Sequence, residues 1–225
     1  MTSRLAVLAA LADPHRLAVV DALADGDLAP GELGLRTGLS SSLLAHHLRA
    51  LEDAGVVERR RSDADGRRAY LSLRWSGIVE AAVSAGTLRP HAVVRPRRVV
   101  FSCTRNSARS QLAAAMLAAE RIVPVASGGT APDRRVHPLA LDELDRRGLE
   151  PASVSPALLD TVREDGDLVV AVCDTAYERA GADLHWSVAD PAVDATARSF
   201  AEAFDALAPR VRRLAATLAA AAPRP

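Results

Sequence analysis

The pattern of apolar residues changes near the middle of this 225-residue chain, and this change constrains the fold more than any other feature. Up to about Gly86 the apolar residues recur at helical spacing, with one hairpin pattern among them. From Val99 onward, short β runs alternate with amphipathic helical segments, which is typical of a parallel α/β sheet. The segment between them, 87–98, holds two prolines and four arginines and is typical of a linker.

We therefore predict two domains joined by the linker 87–98. Residues 1–86 are expected to form a mainly α unit with one hairpin, and residues 99–225 an α/β domain with a central parallel sheet. A chain of this length is long enough for two units of roughly 100 residues each.

The charges of the chain balance, with 28 acidic and 28 basic residues. No global field therefore attracts nucleic acid, and any basic surface must be local. The apolar stretches are too short and too interrupted to span a bilayer, so no membrane partner is expected. Residues 1–4 do not have the layout of a cleavable signal, and we expect a cytoplasmic protein.

Two helical segments separated by a tight turn at Gly38 predict a helix-turn-helix, Pro30 to Thr37 and Ser40 to Ala54. The second has four residues at i, i+3, i+4 and i+7 that predict a buried stripe: Leu44, His47, Leu48 and Leu51. The outward positions that we expect to contact DNA are Ser41, Ser42, His46 and Arg49. The alternative for His46 is a solvated side chain without a role in DNA binding.

The helix before this pair is predicted to begin at Pro14, with Asp13 as its N-cap. We expect Leu17, Val20 and Leu23 to lie on its buried face.

A hairpin wing is predicted after the helix-turn-helix, from the β runs Gly55–Arg61 and Arg67–Leu73 around an Asp-Gly turn. Six arginines and two acidic residues occur between positions 59 and 74, so this neutral chain carries a local basic patch. Within it, Arg67 and Arg68 are candidates for contacts with DNA phosphates.

These segments resemble the ArsR-type winged-helix repressors over nearly all of residues 1–80. The motifs that carry the resemblance are Leu11–Leu17, Leu39–Leu51, Ala54–Val57 and Gly66–Arg68. The resemblance implies a homodimer that binds double-stranded operator DNA and dimerises through the flanking helices Leu5–Leu11 and Trp75–Ala85. Leu43 and Ala45 stand where the family more usually has polar residues, which predicts altered base readout.

Metal-sensing members of this family bind their effector through cysteine pairs or His/Asp clusters. Residues 1–86 contain no cysteine and no such cluster, so no metal site is predicted. The alternative for the whole unit is a fold that no longer binds DNA and serves only to dimerise the chain.

The second domain begins with an apolar strand, a small polar loop and a helix start, and contains the pattern Cys-x5-Arg-Ser from Cys103 to Ser110. The backbone N–H groups of such a loop surround a tetrahedral oxyanion, and the helix N-terminus adds positive potential. Arg109 is placed to bind two oxygens of the anion. The same field favours a thiolate, so Cys103 is predicted to be a nucleophile.

Two further residues of the loop are predicted to support this nucleophile. Ser110 is placed to hydrogen-bond the sulfur and to assist its departure. Asn106 tolerates the left-handed backbone that a tight loop needs.

An Asp-Pro pair at Asp190 lies just before the last long helical segment and is a candidate general acid. The alternative reading of an acidic residue here, a helix N-cap, suits Asp194 better.

From residue 98 to about 220 the chain resembles the low-molecular-weight phosphatase superfamily, and more closely its arsenate reductase branch. The motifs that carry the resemblance are Cys103–Ser110, Ser127–Thr130, Leu168–Asp174 and Asp190–Pro191. The resemblance implies that Cys103 is the nucleophile, Arg109 the oxyanion clamp and Asp190 the general acid, with Ser110 and Asn106 as loop support. Ala192 and Val193 stand where the tyrosine phosphatases have aromatic residues, which favours a small inorganic oxyanion, arsenate or phosphate.

Cys173 ends a β run, so we expect it at the same carboxyl edge of the sheet as the Cys103 loop. It matches a resolving thiol of the thioredoxin-coupled arsenate reductases, but Ala180 stands in the region of their further cysteine. Either two cysteines suffice with thioredoxin, or an external low-molecular-weight thiol and a glutaredoxin-like protein act as reductant. The alternative for Cys173 is a buried structural thiol.

We therefore expect a fusion of a DNA-binding regulator with a thiol-dependent arsenate reductase, serving arsenic resistance and holding no bound cofactor. Two alternatives remain open. In one, the phosphatase-like domain senses an oxyanion or the redox state without turnover. In the other, the chain is a protein tyrosine phosphatase dimerised by its N-terminal domain.

Overall fold

The computed structural model describes residues 4–75, 79 and 96–220, and the chain divides into two compact units, 1–89 and 90–225. Most of the predicted linker 87–98 and almost all of the predicted dimerisation segment Trp75–Ala85 lie outside the described residues. In the part of the chain that is described, no helix has the length and apolar character needed to cross a membrane.

The described residues of the first unit form four helices and a two-stranded antiparallel sheet. These elements are α1 (Arg4–Leu11), α2 (Pro14–Leu23), α3 (Pro30–Thr37), α4 (Ser41–Asp53), β1 (Val57–Arg61) and β2 (Ala69–Leu73). Val57 pairs with Leu73 and Arg61 with Ala69, which gives the predicted wing. The helix-turn-helix and its wing are confirmed.

Local capping explains where these helices begin and end. The Asp13 carboxylate accepts hydrogen bonds from the backbone N–H groups of His15 and Arg16, both at 2.9 Å, as predicted for an N-cap of α2. Gly38 ends α3 with a φ of 69°, a backbone that favours glycine. Ser40 then caps α4 by accepting from the N–H of Leu43.

One helix of the first unit is rotated relative to our expectation. Val20 and Leu23 are buried as predicted, but Leu17 is 38% exposed and Val19 is fully buried. The positions of Val19 and Leu23 differ by about 40° around the helix, whereas Leu17 lies more than about 100° from the centre of the buried face. Leu17 was therefore wrongly assigned to the core.

The second unit is an α/β domain with a four-stranded parallel sheet of order β4-β3-β5-β6, which confirms the predicted class. Its strands are β3 (Arg98–Cys103), β4 (Val125–Gly129), β5 (Asp167–Ala171) and β6 (Leu184–His185). Its helices are α5 (Arg109–Ala119), α6 (Pro138–Arg146), α7 (Leu159–Val162), α8 (Asp174–Ala180) and α9 (Ala197–Ala220).

The sheet positions the candidate site because β3 and β5 are adjacent and parallel, with Ser102 opposite Ala171. The segments that follow these strands therefore emerge at one edge. Arg98 was assigned to the linker but is the first residue of β3, where it makes two hydrogen bonds to the Asp167 carboxylate, at 2.7 and 3.1 Å. The sequence did not predict β6, α7 or α8.

Candidate active site and DNA-binding face

Cys103 lies at the end of β3, and the loop after it leads into α5 at Arg109. The side chain is buried, at 2% exposure. Its Sγ lies 3.0 Å from the Ser110 Oγ and accepts a hydrogen bond of 3.2 Å from the backbone N–H of Asn106. Two groups of the loop and of the first turn of the helix thus lie within hydrogen-bonding distance of the sulfur.

Asn106 fixes the shape of this loop. Its φ of 49° is the left-handed conformation expected there. Its Nδ2 donates to the Oγ of Ser110 and of Ser127, both at 2.9 Å, and its Oδ1 accepts from the N–H of Ala157. One side chain thus ties the loop to α5, to β4 and to the segment before α7.

Residues 130–137, of which the sequence analysis named only Thr130, pack along the outer side of the Cys103 loop; we call this segment the strap. Four strap N–H groups donate to loop carbonyls, at 2.8 to 3.2 Å; the carbonyls are those of Cys103, Thr104, Arg105 and Ser107. Because a trans peptide directs its N–H opposite to its C=O, the N–H groups that follow these carbonyls point away from the strap. The strap therefore orients the loop amides toward the interior of the loop, an arrangement that could hold an oxyanion.

Gly129, at the end of β4, permits this close packing. A Cβ at that position would lie 2.8 Å from the Thr104 carbonyl oxygen and 2.9 Å from the Asn106 nitrogen. Any larger residue would displace the loop. The contact is long-range, and its only local signal in the sequence is the small-residue run Ser127–Thr130.

Arg109 is buried at the first turn of α5 and contacts the segment before α9. Its Nη1 donates to the carbonyl oxygen of Val188 at 2.9 Å, and its Nη2 lies 2.8 Å from the Asp190 Oδ2. The Asp190 side chain is 30% exposed. The structure thus brings the predicted clamp and the predicted general acid into contact, beside the loop headed by Cys103.

The N-cap at the start of α9 is not Asp194. The helix begins at Ala197, and Thr196 Oγ1 accepts a 3.0 Å hydrogen bond from the N–H of Ser199. This reciprocal pair, in which the Ser199 Oγ accepts from the Thr196 N–H, closes the first turn.

Cys173 lies at the same edge of the sheet, as predicted. It is the N-cap of α8, is 1% exposed, and its Sγ lies 3.5 Å from the Oγ1 of Thr104, the residue after Cys103. Burial raises the pKa of the Cys173 thiol above its ordinary value, and the nearby Arg109 only partly opposes this. The residue thus favours the neutral thiol.

A buried pair next to Cys173 was missed by the sequence analysis. The Asp174 Oδ1 lies 3.0 Å from the Nε2 of His185, and the Tyr177 ring stacks on His185 with ring centroids 4.2 Å apart. Both the Asp174 and the His185 side chains are buried. His185 belongs to the two-residue strand β6, which is too short to give an alternating pattern.

In the first unit, α4 presents the face predicted for DNA. The four candidate residues are exposed: Ser41, Ser42, His46 and Arg49. The predicted stripe on the opposite face is buried, including His47 at 5% exposure. Burial lowers the pKa of His47, although the Asp13 carboxylate lies 3.7 Å away. His47 therefore packs in the core as a neutral side chain.

The wing is less basic than its composition suggests. Three of its arginines pair with carboxylates at 3.0 to 3.1 Å, Arg59 with Glu52, Arg60 with Asp63 and Arg74 with Glu58. Arg67 and Arg68 are exposed at the tip of the hairpin. Part of the positive charge of the patch is thus neutralised by neighbouring carboxylates.

Two family models match the chain. The model for the arsR family of bacterial regulatory proteins matches residues 13–59. The model for low molecular weight phosphotyrosine protein phosphatases matches residues 98–224, more than half of the chain. Both resemblances inferred from the sequence are confirmed.

The nodulation protein NolR of Rhizobium meliloti is 38% identical over 65 residues, which are 29% of this chain and 51% of that protein. The chain therefore spans about half the length of this curated relative. An arsenate reductase of Archaeoglobus fulgidus DSM 4304 is 26% identical, with coverage of 52% of this chain and 98% of that chain and a TM-score of 0.46. The YwlE arginine phosphatase of Geobacillus stearothermophilus is 27% identical. The match covers 55% of this chain and 93% of that chain, with a TM-score of 0.46.

Proposed function

The chain belongs to the low molecular weight phosphotyrosine protein phosphatase family, and we propose that its C-terminal domain is a thiol-dependent arsenate reductase. The observation that carries the proposal is the segment beside the oxyanion loop. Asp190 contacts Arg109, and the residues that follow it, 191–196, include no aromatic side chain. Such a site offers no ring to contact a tyrosine phosphate, which favours a small inorganic oxyanion. Reduction of arsenate consumes two thiols, of which Cys103 is the first.

The first step of the proposed mechanism forms an arsenic–sulfur bond. The loop amides and Arg109 bind arsenate, and the Cys103 thiolate attacks the arsenic atom. An oxygen of arsenate leaves as water, with the proton supplied by Asp190. This yields an arsenate adduct on Cys103 in which arsenic is still pentavalent.

The second step transfers two electrons. A second thiolate attacks the Cys103 Sγ and forms a disulfide, and the electron pair of the arsenic–sulfur bond passes to arsenic. Arsenic is thereby reduced from the pentavalent to the trivalent state and leaves as arsenite, while two thiols are oxidised to one disulfide.

We propose that this second thiol comes from an external low-molecular-weight thiol. Burial favours the neutral form of Cys173, which is not the nucleophilic form. Ala180 is the last residue of α8, and the chain has no third cysteine to continue an internal relay. A glutaredoxin-like protein would then reduce the mixed disulfide on Cys103.

Arsenite production from arsenate, measured with a panel of thiols and with thioredoxin, tests this function. We expect turnover with small thiols and none in Cys103→Ser. A matched control is Cys173→Ala, which removes the other buried thiol and should retain most of the thiol-supported rate. Full activity in Cys103→Ser, or no arsenite with any reductant, would overturn the proposal.

Phosphate-ester hydrolysis is the second candidate, and the Arg109–Asp190 contact favours it. A carboxyl group 2.8 Å from the oxyanion clamp is well placed to protonate the leaving oxygen of an ester. Hydrolysis of p-nitrophenyl phosphate without arsenate reduction would select this candidate.

For the N-terminal unit we propose specific binding to double-stranded operator DNA as a homodimer. The support is the exposed polar face of α4, with Arg67 and Arg68 on the adjacent wing. A gel-shift titration on the promoter of its own gene tests DNA binding, and sedimentation tests the dimer. Tight operator binding without any turnover at Cys103 would favour the regulator that only senses.

A further inference from the structure

Three arginines lie on segments that border the Cys103 loop and take no part in the chemistry proposed above. Arg105 is the second residue after the nucleophile, and Arg134 and Arg135 belong to the strap. The Asp133 N–H donates to the Arg105 carbonyl at 2.9 Å, and the His137 N–H donates to the Ser107 carbonyl at 2.9 Å. These two hydrogen bonds hold Arg134 and Arg135 alongside the loop.

The charges of this border are not neutralised locally. The Arg105 side chain is 64% exposed and lies 3.6 Å from the Asp133 carboxylate, which also accepts a hydrogen bond from the Ser107 Oγ. Arg134 and Arg135 are exposed and form no ion pair with any residue in the described ranges. Three positive charges thus stand against one negative charge.

The other border of the site has the opposite character. The segment 186–196, which carries Asp190, contains two aspartates and no basic residue. Val193 in this segment is 81% exposed. The strap border of the loop therefore carries positive charge, and the Asp190 border carries acidic and apolar groups.

We propose that Arg105, Arg134 and Arg135 form a subsite for a second anionic group, a carboxylate or a phosphate, on the molecule that reacts at Cys103. Guanidinium groups bind both kinds of anion through paired hydrogen bonds. The inference rests on the proposed function. In that mechanism arsenate occupies the loop, so the anionic group at the subsite belongs to the external thiol that reacts next. The thiol is then one that carries carboxylates. If the site hydrolyses phosphate esters instead, the second group belongs to the ester.

Alkylation of Cys103 tests the subsite without any turnover. In a Cys173→Ala background, the rates with anionic iodoacetate and neutral iodoacetamide are compared as a ratio. We expect this ratio to fall about fivefold in Arg134→Ser/Arg135→Ser, since two nearby positive charges are removed. The ratio should be retained in Arg134→Lys/Arg135→Lys and in the control Arg163→Ser, which lies after α7 near the opposite edge of the sheet.

Two activity assays identify which molecule carries the anionic group. Arsenate reduction is measured with glutathione, which carries two carboxylates, and with neutral 2-mercaptoethanol. Hydrolysis is measured with phosphotyrosine peptides flanked by glutamates or by alanines. We expect the preference for glutathione to fall at least about threefold in the serine double variant. Loss of preference only in the peptide arm would assign the subsite to an ester substrate and keep its anionic chemistry.

The outcomes separate the two proposals. An alkylation ratio that falls as expected, in a protein that neither reduces arsenate nor hydrolyses esters, would support the subsite and overturn the proposed function. A ratio that does not change in the serine double variant would overturn the subsite. The same holds if the alkylation rates with iodoacetate and iodoacetamide both fall by the same factor. The ratio is then unchanged, and the lower rates indicate a structural change rather than the removal of charge.

Discussion

The Nη2 of Arg109 and the Oδ2 of Asp190 lie 2.8 Å apart, so the oxyanion clamp and the candidate general acid share one wall of the site. The contact joins residues that are 81 positions apart in the sequence. Arg109 also donates to the Val188 carbonyl, two residues before Asp190. An oxyanion bound by Arg109 would therefore lie next to the Asp190 carboxyl group, the proposed proton donor.

This geometry predicts the effect of Asp190→Asn. The substitution keeps the size of the side chain but removes the acid, so kcat with a substrate whose leaving group needs a proton should fall by about 10²–10⁴-fold. Steady-state kinetics with p-nitrophenyl phosphate and with arsenate measure the change. Asp194→Asn, four residues away and exposed, is the matched control and should behave as wild type. Equal kcat values in both variants would exclude Asp190 as the acid.

The buried state of Cys173 predicts how turnover depends on pH and reductant. Because burial raises the pKa of this thiol, its thiolate fraction grows only as the pH rises through alkaline values. Thioredoxin alone should therefore support arsenate reduction poorly at neutral pH, and any Cys173-dependent rate should increase toward alkaline pH. A small external thiol should support turnover well at neutral pH, with or without Cys173.

The measurement is the pH profile of arsenite production with each reductant, in wild type and in Cys173→Ala. Equal neutral-pH rates with thioredoxin alone and with small thiols, abolished in Cys173→Ala, would show instead that the two cysteines form a complete relay.

Parts of the site were predictable because they depend on local geometry. The Cys-x5-Arg-Ser spacing places Cys103, Arg109 and Ser110 around one loop between a strand and a helix, and the contact between Cys103 and Ser110 at 3.0 Å follows from that spacing. The position of Cys173 was predictable because the carboxyl ends of parallel strands share one edge. Both inferences needed only the order of the elements.

Other features were not predicted from the sequence, because they arise from tertiary contacts that leave no periodic pattern in it. The strap contacts the loop through backbone N–H groups, which any sequence supplies, so Asp133 was not singled out. The charge of the wing was overestimated, because the pairing of Arg59 with Glu52 joins residues from different elements. Leu17 was misplaced because the partners of α2, rather than its own pattern, set which face is buried.

The ion pair between Arg98 and Asp167 predicts a pH-dependent contribution to stability. Burial alone would raise the pKa of Asp167, but the hydrogen bonds from Arg98 and from the Glu164 N–H outweigh it, and the pKa lies below the ordinary value. The pair therefore stabilises the fold above the unfolded pKa of about 4, and this contribution is lost as the pH falls through the lower folded pKa.

Asp167→Asn should therefore reduce the free energy of unfolding by about 2 kcal/mol at pH 7, because Arg98 loses the closer and more buried of its two carboxylate partners, Asp167 and Glu164. Urea denaturation at pH 7 and pH 3 measures the difference, which should shrink at the lower pH. Asp165→Asn, an exposed neighbour, is the control. A cost that is the same at both pH values would show that the charge of Asp167 contributes nothing.

The exposed residues of α4 and of the wing predict two separable effects on DNA binding. Arg67→Ala/Arg68→Ala should weaken binding to all sequences and flatten the salt dependence, by about 0.9 in the log–log slope for each phosphate that is no longer neutralised. Arg74→Ala is the matched control. Arg74 is paired with Glu58 at 3.0 Å, so its charge is partly neutralised and its loss should weaken phosphate binding less. Ser42→Ala and His46→Ala should instead change which operator is preferred, since base contacts carry the sequence information.

Gel-shift titrations over a range of salt concentrations measure both effects, and the absence of a specific shift at moderate salt would exclude specific DNA binding.

The same gel-shift assay shows which domain responds to arsenic. Residues 1–86 contain no cysteine, so arsenite has no thiol to bind there and should release DNA only weakly. Any stronger release by arsenate or an oxidant should require Cys103 and disappear in Cys103→Ser. Tight arsenite-driven release that survives in Cys103→Ser/Cys173→Ser would place the effector site in the first unit and contradict this prediction.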